Sequence, residues 1–164
     1  HAHRLAGNIQ NDDSKTKLFT LVQTVQAFIV HSAILTLKVL ALTGLTGATR
    51  AIRGVFANPE DAKSLKGVVK FNDPVVERIR RAHLNDLENI PAFWILGALY
   101  LTTGPSVAWA TLLFRAFTLG RIIHSIVYAV VPLPQPSRAI AFGIPYLINL
   151  YMGAQIVLYY ITAV

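Results

Sequence analysis

The chain has 164 residues, of which 54% are hydrophobic and only 14% are charged, and its formal net charge is +7. Soluble domains carry about 25% charged residues, and a soluble protein of this length lacks the polar surface to cover so many apolar side chains. The composition therefore excludes an ordinary soluble domain and predicts a one-domain integral membrane protein in contact with membrane lipids.

The residue types exclude further classes of protein. The chain has no cysteine, which excludes disulfides, thiolate metal ligands and a cysteine nucleophile, and we predict no metal site. The positive-inside rule explains an excess of Lys and Arg in a membrane protein, so we predict no nucleic-acid partner. We expect residues 1–15 to form a disordered polar arm and residues 16–164 to form a single transmembrane domain.

The first predicted membrane-spanning helix begins after Lys17. Residues 18–37 carry no formal charge, which matches the roughly 20 residues needed to cross the hydrocarbon core. Lys38 interrupts this apolar run, and we expect the helix to end near Gly54. The stretch 56–74 is polar and contains Asn-Pro and Asp-Pro dipeptides, which mark turns.

Three more helices are predicted after this polar stretch. Asp73 as N-cap and a proline at the first helical position begin the second helix, which we expect to run over 74–102. Its first half is charged and its second half is apolar. A Gly-Pro turn leads to the third helix over 105–131, and a proline-rich connector leads to the fourth over 137–163. The sequence thus predicts an all-α integral membrane protein with a bundle of four transmembrane helices.

The distribution of Lys and Arg predicts the orientation in the membrane. Eight of them lie in or beside the first connection: Arg50, Arg53, Lys63, Lys66, Lys70, Arg78, Arg80 and Arg81. The turn over 102–106 has none, and the proline-rich connector is followed by Arg138. We therefore expect the first and third connections to face the cytoplasm and both termini to lie on the opposite side.

Two stripes of polar side chains predict a pocket. An ionisable group in hydrocarbon costs about 2.5 kcal/mol or more unless it is paired or faces a polar cavity. Steps of three and four residues place side chains on one helical face, and the two faces consist of Glu77, Arg81, Asn85 and Glu88 on the second helix and Arg121, His124 and Tyr128 on the third. With Arg138 they can line one polar pocket near the cytoplasmic ends of the helices. Asp86 lies off the first stripe, so we expect it to pair with another cation.

A second interpretation of these stripes needs no ligand. The same side chains can form a buried ion network that orders the bundle. Glu77 and Arg78 can serve the start of the second helix at the membrane interface. Arg115 can pack between subunits or extend its charge to the membrane surface.

Several runs of the sequence resemble a known family. They are Phe56-Ala57-Asn58-Pro59-Glu60-Asp61, then Arg81-Ala82-His83-Leu84-Asn85-Asp86-Leu87-Glu88-Asn89, then Gly120-Arg121 with His124 and Tyr128, and finally Pro132-Leu133-Pro134-Gln135-Pro136-Ser137-Arg138-Ala139. Together they resemble the MAPEG family, the membrane-associated proteins in eicosanoid and glutathione metabolism. The resemblance extends over about residues 16–160.

The resemblance implies a homotrimer of four-helix subunits that holds glutathione at subunit boundaries near the cytosolic face. It also implies residence in the endoplasmic reticulum, and possible residence in the mitochondrial outer membrane. Matched by motif, the residues implied to bind glutathione are Arg81, His83, Asn85, Glu88, Arg121, His124, Tyr128 and Arg138, with Arg50 from a neighbouring subunit. Glu88 suits the ammonium group of glutathione and the arginines suit its carboxylates.

The implied activity is that of a glutathione transferase acting on lipophilic electrophiles, with reduction of lipid hydroperoxides. Catalysis requires the thiolate of glutathione, and Arg138 is the candidate to stabilise it, with Tyr128 positioning the tripeptide. In the prostaglandin E synthases of this family a serine follows that arginine, whereas this chain has Ala139, which favours the transferase branch. Prostaglandin H2 isomerisation, a non-catalytic lipid-binding scaffold and an ion carrier remain alternatives.

Overall fold

The computed structural model describes the backbone of residues 2–162 and the side chains of residues 14–162. The elements are α1 (Ala2–Arg53), β1 (Val55–Phe56), α2 (Pro59–Ser64), β2 (Val68–Val69), α3 (Pro74–Leu101), α4 (Val107–Ser125), a π-helical turn (Ile126–Val130) and α5 (Ser137–Ile161). The backbone of the predicted disordered arm over 1–15 is helical from Ala2, and its side chains up to residue 13 lie outside the described part of the chain.

The four long helices form a bundle. α1 packs on α3 and α4, and α5 packs on the same two helices from another side. Among the described residues, three segments are long and apolar enough to cross a membrane: Ser14–Arg53, Val107–Val130 and Ser137–Ile161. Residues 77–88 of α3 include six charged residues, so the predicted fourth crossing stays a prediction.

Aromatic rings fill the centre of the bundle. Phe93 of α3 stacks on Phe117 of α4 with ring centroids 4.2 Å apart, and it meets the edge of Phe114 at 5.6 Å. Phe28 of α1 lies 5.7 Å from Phe114. Since lipid tails are as apolar as these side chains, close packing of the rings holds the helices together.

Two glycines allow the helices to approach closely. A Cβ at Gly97 of α3 would lie 2.6 Å from the ring of Phe28, and a Cβ at Gly120 of α4 would lie 2.5 Å from Cγ of Pro145 on α5. The proline ring cannot swing away, so a side chain at Gly120 would push α4 and α5 apart.

The N-cap of α3 joins this helix to the end of α1. Oδ1 of Asp73 accepts hydrogen bonds from the backbone N–H groups of Val75 and Val76 at 3.1 and 3.3 Å, as expected for an N-cap. Nε and Nη2 of Arg53 each donate to the same carboxylate at 2.9 Å. The hydrogen bonds from Arg53 hold the pKa of Asp73 below its ordinary value, and the backbone N–H groups add to this effect. The predicted N-cap is confirmed.

The structure differs from the prediction at two helix boundaries and in the polar connection. α1 is already helical at Ser14, before the predicted start after Lys17, because a helix can extend beyond the apolar segment that hydropathy detects. The α-helical part of the predicted third helix ends at Ser125 and becomes the π-helical turn. The polar connection contains α2 and a pair of parallel two-residue strands, β1 and β2, which are too short to show a period in the sequence.

Candidate functional site

A pocket of about 620 Å³ opens between α3, the end of α4 and the start of α5. Its lining consists of Arg81, Leu84, Asn85, Glu88, His124, Tyr128, Gln135, Arg138, Ala139 and Phe142. Six of the nine candidate residues are therefore brought together: Arg81, Asn85, Glu88, His124, Tyr128 and Arg138. The other three, Arg50, His83 and Arg121, lie outside this lining.

α3 supplies one wall of the pocket. Arg81, Asn85 and Glu88 follow one another at helical steps of four and three, so they share a face. Arg81 and Glu88 are exposed and Asn85 is half-buried. This wall therefore presents one cation, one amide and one carboxylate along its length.

The opposite wall is a stack of rings and one guanidinium group. The rings of His124 and Tyr128 stack with centroids 5.5 Å apart. Cζ of Arg138 lies 5.1 Å from the centroid of the Tyr128 ring, within the range of a cation–π contact. Tyr128 therefore fixes the position of the Arg138 guanidinium beside the pocket.

Two nitrogen atoms of this wall are buried without a partner. Nε of Arg138 and Nδ1 of His124 make no hydrogen bond within the described part of the chain. Buried polar atoms of folded proteins are hydrogen-bonded in the large majority of cases. Both atoms therefore have hydrogen-bonding capacity that the described residues leave unused.

Arg121 lies behind the pocket in a group of three ionisable residues, which we call the buried triad: the half-buried Lys38 and the buried Asp86 and Arg121. Nε of Arg121 donates to Oδ1 of Asp86 at 3.1 Å, and Nζ of Lys38 donates to Oδ2. Asp86 and Arg121 are both fully buried. The predicted pairing of Asp86 with another cation is confirmed, and the carboxylate has two cationic partners.

His83 and Arg50 lie elsewhere in the subunit. His83 is two residues after Arg81, which turns it by about 200° on the helix, and its Nε2 lies 3.3 Å from Oγ1 of Thr43 on α1. Arg50 lies in the last turn of α1. Its Nη1 is buried and has no hydrogen-bond partner among the residues that the structure describes.

Apart from Ala139, which follows Arg138, three lining residues are not among the residues predicted for the site. The position of two of them in the sequence could have predicted their place in the lining. Leu84 lies within the Arg81–Glu88 run, and Phe142 is one helical turn after Arg138. Gln135 lies in the proline-rich connector, whose path has no helical period to predict it. Within the described residues, no group of three or more His, Asp and Glu side chains could hold a metal ion.

Known proteins resemble this chain over most of its length. The sequence profile of the MAPEG family matches residues 28–158, a range that contains every residue lining the pocket. The chain is 41% identical over 139 residues to microsomal glutathione S-transferase 1 of Rattus norvegicus, covering 82% of this chain and 89% of that protein. It is 42% identical over 135 residues to the Homo sapiens protein of the same name, covering 79% and 86%.

A second group of relatives is nearly as similar. The chain is 40% identical over 136 residues to prostaglandin E synthase of Bos taurus, covering 82% of this chain and 88% of that protein. Percentage identity therefore does not separate the two groups of relatives.

Proposed function

Because the chain belongs to the MAPEG family, we propose that it is a membrane-bound glutathione transferase that binds glutathione as the thiolate in the pocket described above. It transfers the thiolate to lipophilic electrophiles and reduces lipid hydroperoxides. One observation carries this proposal: six residues chosen from the sequence for glutathione binding line one pocket.

The charges of the pocket fit glutathione as a cosubstrate. Glutathione has two carboxylates, one ammonium group and a thiol. Arg81 offers a guanidinium fork to a carboxylate, and Glu88 offers a carboxylate to the ammonium group. In a buried part of the site, Nε of Arg138 adds a donor, and Nδ1 of His124 adds a donor or an acceptor according to its tautomer.

Arg138 is the proposed activator of the thiol. A cysteine thiol has a pKa of about 8.5, and a nearby guanidinium in a partly dry site favours the anion. Tyr128 holds the guanidinium by its ring face, which leaves the N–H groups of Arg138 for the sulfur. Bond formation then joins the thiolate sulfur to the electrophilic carbon, and a departing halide leaves with the bonding electron pair.

The proposed assembly is a homotrimer with four membrane crossings per subunit. α1 exposes a long apolar surface that includes Phe19, Leu37 and Leu40, which requires lipid or neighbouring subunits to cover it. Arg50 has a buried nitrogen without a partner inside the described part of its own subunit. We assign to this Arg50 nitrogen a partner in the pocket of the neighbouring subunit. Cyclic symmetry then gives three equivalent sites at the subunit boundaries.

The proposed location is the endoplasmic reticulum membrane, with the mitochondrial outer membrane as a second location, and the pocket faces the cytosol. The residues of α3 that line the pocket lie between Arg81 and Glu88, in the charged part of the helix that follows the basic first connection. The positive-inside rule assigns that connection to the cytosol.

A second candidate activity is glutathione-dependent prostaglandin H2 isomerisation, which the 40% identity to a prostaglandin E synthase favours. Ala139, which has no hydroxyl group, lines the pocket beside Arg138. A thiolate stabilised by arginine alone can still attack an endoperoxide oxygen. A non-catalytic lipid-binding scaffold is the third reading, and it leaves the cationic pocket unexplained.

Steady-state assays of one detergent-purified sample separate these activities. We expect glutathione-dependent turnover of a chloronitrobenzene and of a lipid hydroperoxide, each faster than turnover of prostaglandin H2. Predominant formation of prostaglandin E2 would support the second candidate instead. Absence of all three activities in a trimer that binds no glutathione would contradict both.

A further inference from the structure

Arg121 is placed to act through another residue of the site. Its side chain is fully buried and is absent from the pocket lining. Within the buried triad, Asp86 holds the guanidinium through Oδ1 and holds Lys38 through Oδ2. The orientation of the Arg121 side chain is therefore fixed from behind.

The guanidinium of Arg121 in turn fixes the side-chain amide of Asn85. Nη2 of Arg121 donates a hydrogen bond to Oδ1 of Asn85 at 2.9 Å. A guanidinium group can only donate, so Asn85 must turn its carbonyl oxygen toward Arg121. The NH₂ group of Asn85 then points away from Arg121, and Asn85 is one of the residues that line the pocket.

We infer that Arg121 is a positioning residue that fixes Asn85 as a hydrogen-bond donor to an acceptor group of the bound tripeptide, a carboxylate or an amide carbonyl. This inference rests on the proposed function. Lys38 and Asp86 keep Arg121 in place, and the net positive charge of the buried triad favours the carbonyl end of the Asn85 dipole on that side. A reversed amide would present an oxygen to an acceptor and repel it.

Substitution of Asn85 tests which end of the amide the ligand meets. Asn85→Asp keeps an oxygen for Arg121 to donate to, so the ion network persists, but it replaces the donor with a second oxygen. We expect the affinity for glutathione, measured by equilibrium binding to the detergent-purified protein, to fall about tenfold or more, and to fall further than in Asn85→Ala. Thermal unfolding should occur at or above the wild-type temperature.

A double-mutant cycle tests whether Arg121 acts through Asn85. We expect Arg121→Lys to weaken glutathione binding about tenfold in the wild-type background and less than about twofold in the Asn85→Ala background, because coupled residues are non-additive. Arg115→Lys, on an exposed arginine of the same helix, is the matched control and should leave affinity unchanged. Effects of Arg121→Lys that are equal in both backgrounds would overturn the positioning role.

The wild-type measurement separates this inference from the proposed function. If the wild-type protein binds no glutathione, both are overturned. If the wild-type protein binds glutathione and Asn85→Asp binds it equally well, the positioning role alone is overturned. The Asn85→Asp measurement does not depend on whether Arg121→Lys folds.

Discussion

At the scale of single residues, the pocket combines groups of opposite charge on one helical face. Arg81 and Glu88 are separated by seven residues, or two turns of α3, which is about 10.5 Å along the axis. That separation suits a ligand that carries a carboxylate and an ammonium group at different points. The two residues are therefore expected to contribute separately to glutathione affinity.

Loss of either charge should weaken binding. We expect Arg81→Ala and Glu88→Ala each to reduce glutathione affinity by at least about tenfold, which corresponds to about 1.4 kcal/mol, because each variant leaves a ligand charge without its partner. Isothermal titration of the purified protein measures the change. Both residues are exposed in the isolated chain. Their substitution should therefore lower glutathione affinity and change the temperature of thermal unfolding little.

Neighbouring residues on the same helix provide the controls. Arg80 and Glu77 pair with each other at 2.9 Å and do not line the pocket. Arg80→Ala and Glu77→Ala should leave glutathione affinity within about twofold of the wild type. A loss as large in these controls as in the pocket variants would show that the effect comes from the charge of α3 as a whole.

The sequence predicts part of the site because helical steps fix which side chains share a face. The steps of four and three residues bring Arg81, Asn85 and Glu88 together, and the next helix brings His124 beside Tyr128. The same rule places Arg121 on the stripe of His124, yet Arg121 turns inward. The reason is Asp86, whose buried carboxylate attracts the guanidinium more strongly than an open pocket does. Periodicity carries no information on such a choice between partners.

At the scale of the elements, the distance between α4 and α5 sets the shape of the pocket. α4 leads into the π-helical turn that carries Tyr128, and α5 carries Arg138 in its first turn. The close approach at Gly120 and Pro145 joins the same two helices, about two turns away from Tyr128 and Arg138 along each. A change in that contact should therefore move the two pocket walls relative to one another.

Substitution at this contact should destabilise the bundle. Gly120→Ala places a methyl group against a rigid ring, and overpacking of this kind typically costs about 1–3 kcal/mol. We expect a lower temperature of thermal unfolding in detergent and weaker glutathione binding. Gly143→Ala on α5, where a Cβ would meet nothing within 4 Å, is the matched control. A Gly120→Ala protein as stable as this control would show that the helices can separate without cost.

The long helices could be predicted because apolar runs and caps mark them, whereas the small elements of the first connection could not. Asp73 and Pro74 define the start of α3 by their capping chemistry. β1 and β2 pair only two residues each, and this pairing depends on the turn of α2 between them. The π-helical turn that begins at Ile126 leaves no signal in the composition.

At the scale of the whole molecule, the proposed orientation in the membrane rests on the charges of the first connection. Lys63 and Lys66 are exposed on this segment. We expect a protease added outside sealed microsomes to cleave near these two lysines, because the positive-inside rule places the connection in the cytosol. Cleavage that requires detergent to open the vesicles would reverse the proposed orientation.

The shared site predicts complementation between subunits. Arg50→Ala and Glu88→Ala homotrimers should each have little activity. Co-expression of the two in equal amounts should restore activity at about one boundary in four, because that fraction combines an intact Arg50 with an intact Glu88 from the neighbouring subunit. The measurement is specific activity of purified mixed trimers. No recovery in trimers that contain both subunits would contradict a site shared between neighbouring subunits.

The proposal that Arg138 stabilises the thiolate of bound glutathione is tested most directly by the ultraviolet absorbance of that thiolate at neutral pH. We expect a clear thiolate signal in the wild type and in Arg80→Ala, a partial signal in Arg138→Lys and a lost signal in Arg138→Ala. In Arg138→Ala, part of the signal and of the turnover should return as the assay pH rises toward the pKa of a free thiol, about 8.5. An Arg138→Ala protein with the wild-type thiolate signal and turnover at neutral pH would show that Arg138 does not activate the thiol. Tyr128 would then be the next candidate for that role.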